Sequence, residues 1–216
     1  MRTKGSASVT RASVTLNQDC VPNSANPHTH LMLVGDAADA PYPRVMFGCL
    51  RPEFRGHINS ATAFAQAKVM VAASVGTPPW VPTAAWTEVL LPAPACDRFS
   101  DPETLMRAVD LERPEKVNAL LSYFTVTYPV ARLHVMLDEV RGFVREHIVE
   151  AFDVAALIVL HDPGRAASAN LPHVHVLVVP RRLTSIGLAE QVGALTTDKA
   201  HPLIRDLFLT HWSARR

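Results

Sequence analysis

From Val154 to Leu160 the chain passes through seven apolar residues with no polar interruption. The run is far shorter than the roughly 18 apolar residues of a membrane span, and its length and branched side chains suit a buried strand. The chain must therefore build a sheet with a core around it. Two further segments join that sheet. His173 to Val179 reads as a strand after a loop over 162–172, and Tyr123 to Tyr128 is β-branched and aromatic until Pro129 ends it. Between them, Leu133, Met136, Leu137, Val140, Phe143, Val144, His147, Ile148 and Ala151 recur at helical spacing, the clearest amphipathic helix in the chain.

The remaining segments give weaker signals. Leu31 to Val34 and Arg44 to Leu50 read as strands, separated by loop residues from Gly35 to Pro43. Asn59 to Val75 predicts a helix capped by Ser60 and stopped at Gly76. Pro78, Pro79, Pro82, Pro92 and Pro94 forbid a long regular element after it, with Trp80 and Trp86 pinning the segment to something apolar. Ser100-Asp101-Pro102-Glu103 is a capping pattern that opens a helix to about Leu121, and Pro202 to Trp212 closes the chain as another. Strands and helices mix without strict βαβ alternation, which predicts an α+β fold with a central, largely antiparallel sheet flanked by helices. Residues 1–25, rich in Ser, Thr and Asn, are expected to be disordered, and 26–216 to form a single domain.

Composition excludes more than it assigns. A formal net charge of +1 over 216 residues leaves no global signature of nucleic-acid binding, so such a partner needs a local basic patch. Arg181, Arg182, Lys199, Arg205, Arg215 and Arg216 cluster towards the end and are the candidate phosphate contacts, although a solvated face explains them equally well. Cys20, Cys49 and Cys96 are spaced as neither a disulfide framework nor a zinc knuckle, which favours a reducing cytoplasm. No window suggests a membrane span or a secretory signal.

The chemistry concentrates in His173-Val174-His175. Alternation along a strand puts both imidazoles on one face, close enough to share a metal ion. His161 ends the neighbouring apolar run, and pairing of the two strands brings it beside them. Three histidines with open positions suit a divalent cation that must still hold substrate. A lone His-x-His is as readily core packing; the third histidine is what raises the metal reading.

These residues resemble the relaxase domain of the MobA/MobL mobilisation proteins, members of the HUH class. That family carries an isolated histidine, then a pattern like NPHxH, then an apolar run and a basic residue. Here His161-Asp162-Pro163-Gly164 precedes Asn170-Leu171-Pro172-His173-Val174-His175-Val176-Leu177, with Arg181 and Arg182 beyond; Leu171 is a one-residue insertion. Asp110-Leu111-Glu112-Arg113, Val45-Met46-Phe47, Arg55-Gly56 and Ser60-Ala61-Thr62-Ala63 extend the similarity upstream to about residue 44. The resemblance implies a metal site at His161, His173 and His175 holding Mn²⁺ or Mg²⁺, a single-stranded DNA partner at a transfer origin, accessory mobilisation proteins, and nicking of one strand by a tyrosine on the first helix. The ungapped match puts that tyrosine at Ala67 and a three-residue slip puts it at Phe64, so neither position has an attacking oxygen. An acidic helper of the family falls near Tyr123 to Thr125, where this chain has no acid.

Three readings of that gap stay open. Tyr42, Tyr123 or Tyr128 supplies the nucleophile, Tyr42 being the best placed on its loop; or water attacks; or the module binds DNA or a partner without chemistry, a regulatory or degenerate relaxase. Asn26-Pro27-His28-Thr29-His30 fits the NPHxH pattern better than the carboxy-terminal copy but has no upstream histidine, so it is either a chance match or part of a second or shared site. LPHVHVLVVPR also resembles the signature of the histidine-triad nucleotide hydrolases, which implies a nucleotide-binding protein, with Leu177 in place of the nucleophilic histidine.

Overall fold

The computed structural model describes residues 12–24, 26–128, 132–166 and 170–215. Strands β1 (Ser13–Thr15), β2 (Val34–Asp36) and β3 (Arg44–Leu50) come first, followed by a small hairpin of β4 (Glu53–Phe54) and β5 (His57–Ile58). Helix α1 (Ala61–Val69), strand β6 (Trp86–Leu90), helix α2 (Pro102–Leu111) and strand β7 (Leu121–Thr127) follow. Helix α3 (Leu133–Val144) continues through a π-helical turn (Arg145–Val149) into α4 (Glu150–Phe152). Strands β8 (Val154–His161), β9 (His173–Thr184) and β10 (Gly187–Gln191) precede the last helix, α5 (Ala200–Ala214).

Eight strands form one sheet in the order β1-β2-β3-β7-β9-β8-β6, with β10 folded back onto β9. Every pairing in it is antiparallel. The α+β architecture with a large antiparallel sheet flanked by helices is therefore the one expected. Alternation along the central strands divides the interior in two. Val174, Val176 and Val178 of β9 join Phe124, Ile158 and the apolar faces of α3 and α5 on one side. Leu177 and Val179 join Tyr123, Leu157 and Val159 on the other, under α1 and α2. The continuous apolar run of β8 is thus the signature of a strand covered on both faces.

Several expectations are corrected. The disorder expected over 1–25 does not extend to Ser13–Thr15, which pair with β2 at the sheet edge; residues 1–11 and 25 lie outside the described residues. The first apolar strand is shifted to Val34–Asp36. Helix α1 stops at Val69 rather than Val75, because the amide groups of Thr83 and Ala84 both donate to the Val69 carbonyl (3.1 Å each), which the next helical turn would need. Helix α2 stops at Leu111 rather than Leu121, ahead of Pro114. The proline-rich stretch hides edge strand β6, where flanking prolines cost no ladder bonds. Strand β10 was also missed: its two-residue turn is Ser185-Ile186, without the Asn-Gly or Asp-Gly that announces a hairpin. No helix among the described residues is long and apolar enough to cross a membrane.

Candidate metal centre

The pairing of β8, β9 and β7 assembles the site. His161 lies directly opposite His173, and His175 lies between Val159 on one side and Thr125 on the other. All three imidazoles emerge on the α1 side at one end of the sheet. His175 packs 4.3 Å from His161 and 4.6 Å from His173, centroid to centroid.

One nitrogen of each ring is already committed. His161 Nε2 donates to the Lys68 carbonyl (2.7 Å), and His173 Nδ1 donates to the Leu171 carbonyl (2.7 Å). His175 Nδ1 meets the hydroxyls of Tyr123 (2.7 Å) and Thr125 (2.9 Å). Carbonyls only accept, so the tautomers of His161 and His173 are set by their partners. The nitrogens left over are His161 Nδ1, His173 Nε2 and His175 Nε2, and ring nitrogens of the three residues lie within 4.8 Å of one another. His161 Nδ1 and His175 Nε2 are 3.1 Å apart. Imidazoles oriented from behind by carbonyls and hydroxyls, with their free nitrogens converging, are the arrangement by which proteins prepare histidines for a metal. The three residues fit a divalent cation.

The amino-terminal Asn-Pro-His-Thr-His stretch belongs to this site. Asn26 caps a single 3₁₀ turn, Pro27–His30, by accepting from the His28 amide. Asn17 holds the turn in place: its Nδ2 donates to the carbonyls of His28 (2.9 Å) and Leu31 (2.8 Å), and its Oδ1 accepts from the Leu33 amide (2.7 Å). His28 Nε2 thereby comes 2.7 Å from Tyr123 Oη, to which Thr125 Oγ1 donates at 2.9 Å. A hydrogen-bonded chain thus runs from His28 through Tyr123 to His175. His30 turns elsewhere, bonding the Asn23 carbonyl (3.1 Å) and stacking 4.1 Å from His57. Of the two histidines in this motif, His28 lines the cavity with His161, His173 and His175, whereas His30 packs against His57.

The site opens into a cavity of about 640 Å³ whose lining includes Asn26, His28, Lys68, His161, His173 and His175. Lys68, only 5% exposed, brings a basic group to its wall from α1. Its ammonium lies 5.2 Å from the centre of the Phe64 ring and 5.4 Å from that of Tyr123. Burial lowers its pKa to about 7. Burial also lowers His161 to about 4, with His173 and Lys68 adding to the effect against the bond to the Lys68 carbonyl. His28 falls to about 3, by burial first and then by the nearby Lys68, His173 and His161. His175 is held well below its usual value by burial and by Lys68, and His173 is lowered chiefly by burial. The imidazoles are therefore neutral at pH 7, the form that ligates metal. Burial raises the Tyr123 phenol, which stays protonated.

Helix α1 carries no hydroxyl into the cavity. Ala67, where the family resemblance expects a tyrosine, forms part of the wall, and Phe64 packs edge-on against Tyr123 at 5.3 Å. Tyr42, favoured from sequence, is not among the lining residues; its ring lies 4.2 Å from the Arg44 guanidinium. Tyr128 bonds Glu139 on the α3 side. Tyr123 is the tyrosine that meets the histidines, and its hydroxyl and that of Thr125 both stand against His175 Nδ1.

The basic candidates fare unevenly. The Arg181 guanidinium is consumed by three carbonyls, Ala189, Glu112 and Leu188, each at 2.8 Å. Arg182 is paired with Asp153 (2.7 Å) and Glu190 (2.9 Å). Both guanidinium groups are thus engaged within the protein at the positions expected to meet phosphate. Arg205 is buried beside Asp36 and Asp206, Arg215 bonds His211, and Arg216 lies outside the described residues. Lys199, exposed just before α5, remains free to meet solvent or a ligand. Lys68 was missed because a lysine inside a helical Ala-rich pattern reads as solvated surface.

No protein-family model matches the chain, and no curated protein matches it in sequence. Among solved structures, one described as "Molecular Basis of Vancomycin Resistance Transfer in Staphylococcus aureus" is similar, with a TM-score of 0.53 and 19% identity. The likeness covers 73% of this chain and 87% of that one. At that identity what is shared is the fold, a large antiparallel sheet flanked by helices.

Proposed function

We propose that this protein is a relaxase-like DNA-binding module that holds a divalent cation on His161, His173 and His175 and grips a DNA phosphodiester there without a tyrosine on α1 to attack it. The observation that carries this reading is the set of three neutral imidazoles, each oriented from behind, converging beside a buried lysine in an open cavity. A bound divalent ion supplies charge stabilisation and polarises a phosphate oxygen. Lys68, on the same wall, complements phosphate charge, and the fold likeness to a protein of resistance transfer supports a DNA substrate of the transfer-origin kind. Of the two cations expected, three nitrogen donors favour Mn²⁺, since Mg²⁺ prefers oxygen ligands. The histidine-triad reading loses support because Leu177, at the nucleophile's place, is sealed in the α1–α2 core.

The test is binding of a single-stranded transfer-origin oligonucleotide with and without Mn²⁺, paired with nicking of the supercoiled plasmid. Metal-dependent binding that a His173→Ala/His175→Ala variant loses, with no protein left covalently on the DNA, is the expected result. Nicks without attached protein would move the reading to hydrolysis by water. A covalent adduct would sink the claim that no tyrosine acts, with Tyr123 and Tyr42 the first to map. Binding indifferent to metal and to the histidines would remove the basis of the proposal.

A further inference from the structure

On the opposite face of the sheet, where α3 and α5 cover the larger core, a second group of ligating side chains comes together. The helix that begins as α3 widens into its π-helical turn at Arg145–Val149, which carries Glu146 and His147; α5 contributes His211. His147 Nε2 lies 3.2 Å from His211 Nδ1. The Glu146 carboxylate reaches both, with Oε1 3.7 Å from His147 Nε2 and Oε2 3.9 Å from His211 Nδ1. Phe143 backs the two rings, 5.4 Å from His147 and 5.8 Å from His211. Two imidazoles on an apolar wall with a carboxylate closing the third side leave the outer position open to water.

We propose that Glu146, His147 and His211 form a second metal site, suited to Zn²⁺, that staples the π-helical turn to α5. Tetrahedral zinc with bonds of about 2.0–2.1 Å sets its ligand atoms about 3.3 Å apart. The two nitrogens already stand at that separation, and the carboxylate oxygens need to close by only a few tenths of an ångström. Glu146 has the freedom to do so, its side chain being 66% exposed. The π-helical turn adds a residue to the helix where the cluster forms, a distortion found often at functional sites. The same 3.2 Å also suits an N–H···N hydrogen bond between the rings, so metal titration separates the two.

One contact makes the proposal sharper. Arg215 Nη1 approaches His211 Nε2 at 3.3 Å, across the bare Cα of Gly142. A neutral His211 that ligates through Nδ1 carries its proton on Nε2, which cannot accept from Arg215. Zinc binding therefore requires the exposed arginine to turn away, and the arginine competes with the metal.

The experiment is titration of the chelator-stripped full chain with Zn²⁺ by calorimetry, with thermal melting alongside. Wild type should bind two equivalents, of which His173→Ala/His175→Ala removes one and His147→Gln with Glu146→Gln removes the other. His147 is partly exposed at the helix surface, so its replacement leaves the core intact. Second-site binding should be lost with this ligand, and zinc at a hundred times its dissociation constant should raise Tm by about 5–10 °C through this staple. Arg215→Ala should tighten the second site several-fold, which keeps the proposal testable if the other variants unfold. A wild-type chain that binds only zinc lost with His173 and His175, or second-site binding unchanged in both His147→Gln and Arg215→Ala, would overturn it.

Discussion

Tyr123 shows how a single residue can change character when its neighbours are known. By sequence it is one aromatic in a strand, named beside Tyr42 and Tyr128 as a candidate nucleophile but less well placed than Tyr42. In the structure its hydroxyl is the junction between His28 and His175, and by engaging His175 Nδ1 it leaves Nε2 to turn towards His161. Tyr123→Phe keeps the ring and removes that junction. Outer partners of ligating histidines are worth about 10–100-fold in metal affinity. Because Thr125 Oγ1 still lies 2.9 Å from His175 Nδ1, the lower end applies. The variant should thus bind Mn²⁺ about tenfold more weakly while keeping its fold, as read by calorimetry and circular dichroism. Unchanged affinity would mean that the hydroxyl is only core hydrogen bonding.

At the scale of elements, α1 is held at its start by a residue of α2. Asp110 accepts from Ser60 Oγ (2.7 Å) and from the amides of Ala61 (2.8 Å) and Thr62 (3.0 Å), while Ser60 itself caps the Ala63 amide. A carboxylate at a helix N-terminus satisfies orphan amides and meets the positive end of the dipole. Asp110→Ala should cost about 2 kcal/mol in urea unfolding. It should also loosen Lys68 and the carbonyl that orients His161, since both ride on α1. The Ser60 cap was legible in sequence, but its acidic partner fifty residues on was not. The same limit governed α1 and α2 at their far ends: periodicity suggested longer helices, whereas Thr83 and Ala84, or Pro114, decided where they stop.

For the molecule as a whole, burial of the histidines and of Lys68 makes stability depend on pH with a definite sign. His161 titrates near pH 6.5 when unfolded and near about 4 when folded, so between those values the unfolded chain binds more protons. His28 behaves likewise down to about 3. Stability of the metal-free protein should therefore fall as pH drops from 6.5 towards 5, above the range where ordinary carboxylates titrate. Lys68, lowered from 10.5 to about 7, extends the trend upward: stability should rise between pH 7 and 10, where only the unfolded chain keeps that proton. Urea midpoints across this range check both limbs, with Lys68→Met expected to flatten the upper one. A flat profile below pH 6.5 would contradict the burial of the histidines.

What the sequence determined by itself was what local physics can specify: strands from apolar and β-branched runs, the amphipathic α3, the caps at Ser60 and Asp101, and an antiparallel α+β layout. It also put His161, His173 and His175 together, because strand alternation and a short connection leave few other places for them. The tertiary structure alone decided the rest. Asn17 folds the amino-terminal turn back so that His28 meets Tyr123, Arg181 is spent on three carbonyls, and α3 meets α5 at His147 and His211. Each of these joins residues distant in sequence, and no local pattern encodes a contact whose partner is chosen by how whole elements pack.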